Sequence, residues 1–198
     1  MKSKLFSLIA SIVAGTVLGG ALVYYNFIEK PAPEGAEVGD VCPDFTVDTL
    51  KIENGQFVGS GGAISFEAVR ALNPKKVMVI NFWATGCGAC IAELPDFNRF
   101  QEEYSDDVMV FALDGERSYT AETLSTWINT RYAEWTGYSL TFGKYDEGVY
   151  DVLVDGLGFS GDGLPATMIV DTDGKVAYKT EGSLHYADLE EIILPLID

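Results

Sequence analysis

Residues 77–95, Val-Met-Val-Ile-Asn-Phe-Trp-Ala-Thr-Gly-Cys-Gly-Ala-Cys-Ile-Ala-Glu-Leu-Pro, constrain the fold more than any other part of the chain. Val77 to Phe82 is a β-branched and aromatic run without polar alternation, the pattern of a central parallel strand covered on both faces. Trp83 to Gly86 breaks the run. From Gly88 onward Leu94, Phe97, Phe100 and Tyr104 recur at spacings of three and four, one apolar face of a helix. The pattern therefore predicts a buried strand that delivers Cys87 to a helix N-terminus and Cys90 one turn inside.

Unpaired N–H groups and the macrodipole at a helix N-terminus stabilise an anion. For a cysteine that anion is the thiolate, so Cys87 is the expected nucleophile, and Cys90 can close a disulfide with it by exchange. A zinc site would need two further ligands, and outside the pair the chain offers only Cys42 and His185. Neither a metal nor a cofactor is expected. A purely structural bridge is the ordinary state of secreted cysteines, yet one closing so small a loop restrains the unfolded chain little.

The segment Asn81-Phe-Trp-Ala-Thr-x-Cys-x-x-Cys90 followed by Glu93-Leu-Pro95 resembles the TlpA/ResA-like thiol-disulfide oxidoreductases, membrane-tethered members of the thioredoxin superfamily. Pro43-Asp44-Phe45 upstream and Gly163 to Gly174 downstream extend the resemblance over roughly residues 38–197. It implies an α/β, thioredoxin-like fold: a central mixed β-sheet flanked by helices, here preceded by one N-terminal transmembrane helix. It also implies that Pro165 is a cis-proline packed beside the cysteines and that the Leu164 backbone pairs with an extended substrate segment. Trp83 is assigned with these two to the substrate-binding surface. Glu93 stands where the family carries a glutamate near the buried cysteine, and a carboxylate there can take or return the proton of Cys90. Asn81 occupies the place of the buried aspartate of cytosolic thioredoxins, which shifts proton transfer toward Glu93.

Two positions depart from the family pattern. Gly86 stands where Trp is usual, removing apolar cover from Cys87, and Ala89 stands where Pro is common, removing a rigid element from the helix start. Both bear on redox potential and substrate range. A peroxiredoxin would need a Thr-x-x-Cys motif after a proline, which Thr85-Gly86-Cys87 does not supply. Cys42 makes the cysteine count odd and reads as a buried, inert thiol. His185, the only histidine, reads as a surface or capping residue.

Residues 5–28 carry no charge and would span about 36 Å as a helix, against a hydrocarbon core of about 30 Å. The run is longer than a usual signal-peptide core and no Ala-x-Ala site follows, so a retained anchor is expected rather than a cleaved signal. Lys2 and Lys4 before it place the N-terminus in the cytoplasm and the domain outside. The expected organisation is an anchor over residues 1–28, a Pro, Glu and Gly rich linker over 29–39 and a thioredoxin-like domain over 40–198. Residues 29–198 hold 11 basic and 30 acidic side chains, a net charge of −19, which repels nucleic acid and anionic headgroups.

Other elements follow from local signals. A first strand is expected over 41–49, a loop or hairpin over 53–62, and a short helix capped by Ser65 with Phe66, Val69 and Leu72 inward. Val108 to Leu113 reads as a second buried strand, giving a βαβ unit. Thr120 reads as the cap of a helix bearing Leu124, Trp127, Ile128 and Tyr132. A strand over 139–142, a short helix over 145–154 and a loop containing Gly156, Gly158, Gly161 and Gly163 are expected next. A hairpin turns at Asp171-Thr172-Asp173-Gly174, and a last helix starts near Ala187.

The expected activity is disulfide exchange with protein substrates through the Cys87/Cys90 dithiol, outside the cytoplasm. The resemblance points to a reductant fed by a membrane electron donor, with cytochrome c maturation as the process served. The rival reading is a redox-inert thioredoxin-fold binding module at the membrane.

Overall fold

The computed structural model describes residue 35 and residues 37–145 and 163–197. The expected anchor, most of the linker, the helix over 145–154 beyond its first residue, and the loop glycines 156, 158 and 161 lie outside the described residues. Among the described residues no helix is long and apolar enough to cross a membrane.

The run from Val77 to Trp83 forms the strand β3, and every side chain of it is buried. Its two faces feed two separate cores, which is why the run shows no alternation. Val77, Val79 and Trp83 pack with Leu94, Phe97 and Phe100, while Met78, Ile80 and Phe82 pack with Phe45, Phe66 and Val69. Around it a seven-stranded mixed sheet has the order β2-β1-β5-β4-β3-β6-β7. The strands are β1 Thr46–Glu53, β2 Gln56–Ser65, β4 Val108–Asp114, β5 Thr141–Tyr145, β6 Ala166–Val170 and β7 Val176–Glu181. β3, β4 and β5 run parallel, and the remaining pairings are antiparallel. Helix α1 is Phe66–Leu72, α2 Gly88–Glu103, α3 Ala121–Arg131 and α4 Tyr186–Ile197. The βαβ unit β3-α2-β4 is as expected.

Several boundaries differ from the sequence expectation. The first strand begins at Thr46, and Val41 forms only an isolated bridge to Lys175. Residues 53–62 turn at Asn54-Gly55, whose φ values of 51° and 74° suit a two-residue hairpin that only such residues enter cheaply; the rest of the segment is β2. Leu72 is 77% exposed, because a spacing of three drifts about 60° per step from the helical repeat and carries it off the face of Phe66. The strand expected over 139–142 starts at Thr141.

Each edge strand of the sheet is bonded over part of its length by a neighbouring segment. The Asn129 side chain of α3 donates to Phe57 O at 2.7 Å and accepts from Phe57 N at 3.0 Å, so it replaces a neighbouring strand along β2. Ser125 Oγ accepts from Gly59 N beside it at 2.9 Å. On the far side Gly39 N donates to Val176 O and Val176 N to Asp40 O. An unpaired edge invites association with other chains, and these contacts occupy the outward groups of Phe57, Gly59 and Val176. The end of the expected linker is thus bonded to β7.

Candidate active site

Cys87 is the N-cap of α2, with extended backbone at φ −93° and ψ 97°. It is joined to Cys90 in a disulfide, and the Cys90 N–H points at Cys87 Sγ from 3.1 Å. An amide aimed at this sulfur is the local means of stabilising a thiolate there once the bond is reduced. The two sulfurs differ in access. Cys90 is fully buried, whereas Cys87 is only half-buried between the exposed residues Gly86 and Gly88. A Cβ added at either glycine would meet nothing within 4 Å, so the approach to Cys87 is open.

The antiparallel register pairs Ala166 with Phe82, which brings Leu164 and Pro165 to the end of β3 from which the cysteine segment departs. The Leu164–Pro165 peptide is cis, and Leu164 is exposed. Trp83, expected on the substrate surface, is instead wholly buried among Trp127, Trp135 and Phe142. It is the last residue of a strand covered on both faces, so its indole fills the core under α3 and cannot meet a substrate.

Glu93 is fully buried, not solvated on the helix surface. Its Oε1 accepts from Asn81 Nδ2 at 2.7 Å and its Oε2 from Leu184 N at 3.0 Å. Asn81 also donates to Thr167 Oγ1 at 3.2 Å across the β3–β6 pair. Leu184 lies in the connection between β7 and α4, which is turned into place by Gly182, whose φ of 116° favours glycine and whose N–H donates to Pro165 O. Burial pushes the Glu93 carboxyl up to about 7; the bonds from Asn81 and Leu184 oppose this, His185 lowers it further and Asp96 raises it. A carboxyl near neutrality, one helical turn from Cys90, can exchange a proton at working pH.

Sequence reasoning missed three participants: the Thr167 hydroxyl, the Leu184 amide and a buried ion pair. Lys144 Nζ lies 2.9 Å from Asp114 Oδ2 and donates to Glu116 O at 2.7 Å. Trp83, Asp114 and Lys144 stand side by side at the ends of β3, β4 and β5. Burial raises the Asp114 carboxyl to about 6, against the pull of Lys144. An acid ending an apolar strand was the one available signal. Cys42 is buried and its thiol is pushed up to about 12 by burial. His185 is exposed, and its carbonyl accepts the N–H of Leu189 at the start of α4.

The model of the AhpC/TSA family matches residues 38–179. The thioredoxin-like protein YneN of Bacillus subtilis is 28% identical over 173 residues, covering 85% of each chain. The thiol-disulfide oxidoreductase ResA of Bacillus cereus is 27% identical over 191 residues, 94% of this chain and 91% of its own. The thioredoxin domain of a thiol-disulfide oxidoreductase from Bacteroides vulgatus superposes with a TM-score of 0.60 at 21% identity, over 81% of this chain and 98% of that one. The chain belongs to the AhpC/TSA family, and within that breadth it is the ResA-like thiol-disulfide oxidoreductases that it resembles along nearly its whole length.

Proposed function

We propose that the chain is a thiol-disulfide oxidoreductase that reduces protein disulfides outside the cytoplasm, held to the membrane by residues 1–28 and re-reduced by a membrane electron donor. The observation that carries the exchange chemistry is the asymmetry of the pair: an approachable Cys87 at a helix N-terminus, and a buried Cys90 one turn from a buried carboxyl of near-neutral acidity. The Cys87 thiolate attacks a substrate sulfur, forming a mixed disulfide and releasing one substrate thiolate. Cys90 then gives its proton to the Glu93 carboxylate and attacks Cys87 Sγ, which releases the second substrate thiolate and leaves the Cys87–Cys90 disulfide. The exposed Leu164, next to Pro165 at the end of β3, offers its backbone to an extended substrate segment. Cytochrome c maturation is the process this reading favours.

A trap tests it. Cys90→Ala in a Cys42→Ser background accumulates a mixed disulfide with the substrate on non-reducing gels, and Cys87→Ala does not. Mass spectrometry of the trapped band identifies the client and separates an apo-cytochrome from other proteins. If the two variants trap alike, the roles of nucleophile and resolver are wrong, and no insulin reduction above dithiol background would leave a redox-inert binding module. The anchor is tested apart from the chemistry: full-length protein pellets with membranes, resists salt extraction and keeps its native N-terminus.

A further inference from the structure

Glu93 and Asp96 lie three residues apart on α2, and so on one side of the helix. The dipeptide Leu184–His185 meets both. Leu184 N donates to Glu93 Oε2 at 3.0 Å, and His185 Nδ1 lies 3.1 Å from Asp96 Oδ2. The dipeptide is itself held at both ends. Gly182 N donates to Pro165 O, His185 O accepts from Leu189 N, and His185 N donates to Asp188 Oδ2 at 2.8 Å. The connection between β7 and α4 therefore grips α2 at two points, one in the core at Glu93 and one at the surface, where the His185 and Asp96 side chains are 67% and 34% exposed.

We propose that His185 and Asp96 are positioning residues that set the acidity of Glu93, their 3.1 Å contact holding the Leu184 amide on its carboxylate and keeping an imidazole and a carboxylate beside it. Among the described residues these are the charges that act on Glu93, His185 favouring ionisation and Asp96 opposing it. β3 and β6 present only the neutral Asn81 amide and, through it, the Thr167 hydroxyl. From α4 the carboxylate of Asp188 faces the His185 backbone rather than Glu93. A surface charge acting on a buried carboxyl is only partly screened by water, so a pair open to solvent still reaches the core site. The role in exchange rests on the reading of Glu93 as the proton acceptor for Cys90.

The Glu93 carboxyl can be followed directly by carbon-13 NMR in the oxidised full-length chain, with Glu93→Gln identifying the signal. His185→Asn raises the Glu93 midpoint by roughly 0.3–0.7 of a pH unit at low ionic strength, the size expected of an exposed charge, and less in high salt. His185→Arg, which fixes a positive charge at that place, holds the midpoint at or below the wild-type value. Asp96→Asn moves it down. A His185→Asn titration that coincides with wild type overturns the proposal, as do equal shifts in His185→Asn and His185→Arg or an upward shift in Asp96→Asn. The reading of Glu93 fails separately: thiol alkylation of Glu93→Gln then follows the wild-type pH profile while the carboxyl midpoints still move.

Discussion

Asn81 and Glu93, both fully buried, are joined by a 2.7 Å hydrogen bond in which the amide donates to the carboxylate. With the Leu184 N–H on the other oxygen, the ionised carboxylate has two donors and, among the described residues, no paired cation in the core. Two hydrogen bonds offset only part of the cost of burying a charge, and the carboxyl settles near neutrality rather than in the ordinary range.

Glu93→Gln is therefore expected to alter stability and reactivity together. The native carboxyl titrates near 7 against an ordinary value of 4.5. Between these values the folded state keeps a proton that the unfolded state has lost, so wild-type stability falls as pH rises through that window, by about 3 kcal/mol in all. Glu93→Gln lacks this slope, so urea unfolding from pH 4 to 9 shows the variant gaining on wild type. Its thiol alkylation profile loses the inflection near neutrality.

Lys144→Met strands the Asp114 carboxylate in the core. Removing one partner of a buried pair costs about 3–5 kcal/mol, and denaturant unfolding at pH 8 reads the loss. It is smaller at pH 5, where the raised Asp114 carboxyl holds its proton. The double variant Lys144→Met, Asp114→Leu recovers most of the stability.

Cys42 is expected to stay silent in the folded protein. The residue is 5% exposed and burial pushes its thiol up to about 12, so almost no thiolate is present at neutral pH. Timed alkylation with mass detection of reduced protein labels Cys87 first, and Cys42 is labelled only in denaturant.

Asn129→Ala removes both bonds to the Phe57 backbone. Leaving those two groups unsatisfied at a sheet edge costs about 2 kcal/mol, read as a lowered urea midpoint. Hydrogen exchange at the Phe57 amide accelerates more than exchange in β3.

Much of this protein is decided by local sequence. The unbroken apolar run Val77–Phe82 can satisfy itself only between two covered faces, and the three-and-four spacing after Gly88 can only be a helix, so Cys87 has to sit at its start. Ser65 and Thr120 cap where they stand because each side chain reaches an amide three residues on. What no local pattern carries is which distant groups share a site. Resemblance singled out Glu93 as the proton-transfer group, but its burial depends on Asn81 twelve residues before it and Leu184 ninety-one after. Trp83 read as a surface residue of the active-site segment, but the packing of Trp127 and Trp135 against it closed that face. The pairings of Lys144 with Asp114 and of Asn129 with the edge of β2 likewise exist only once the sheet has assembled. The sequence by itself determined the dithiol and the element that presents it, since both depend on neighbours within a turn or two. Only the tertiary structure decided the acidity of Glu93, because desolvation and hydrogen bonding are properties of the surroundings rather than of the residue.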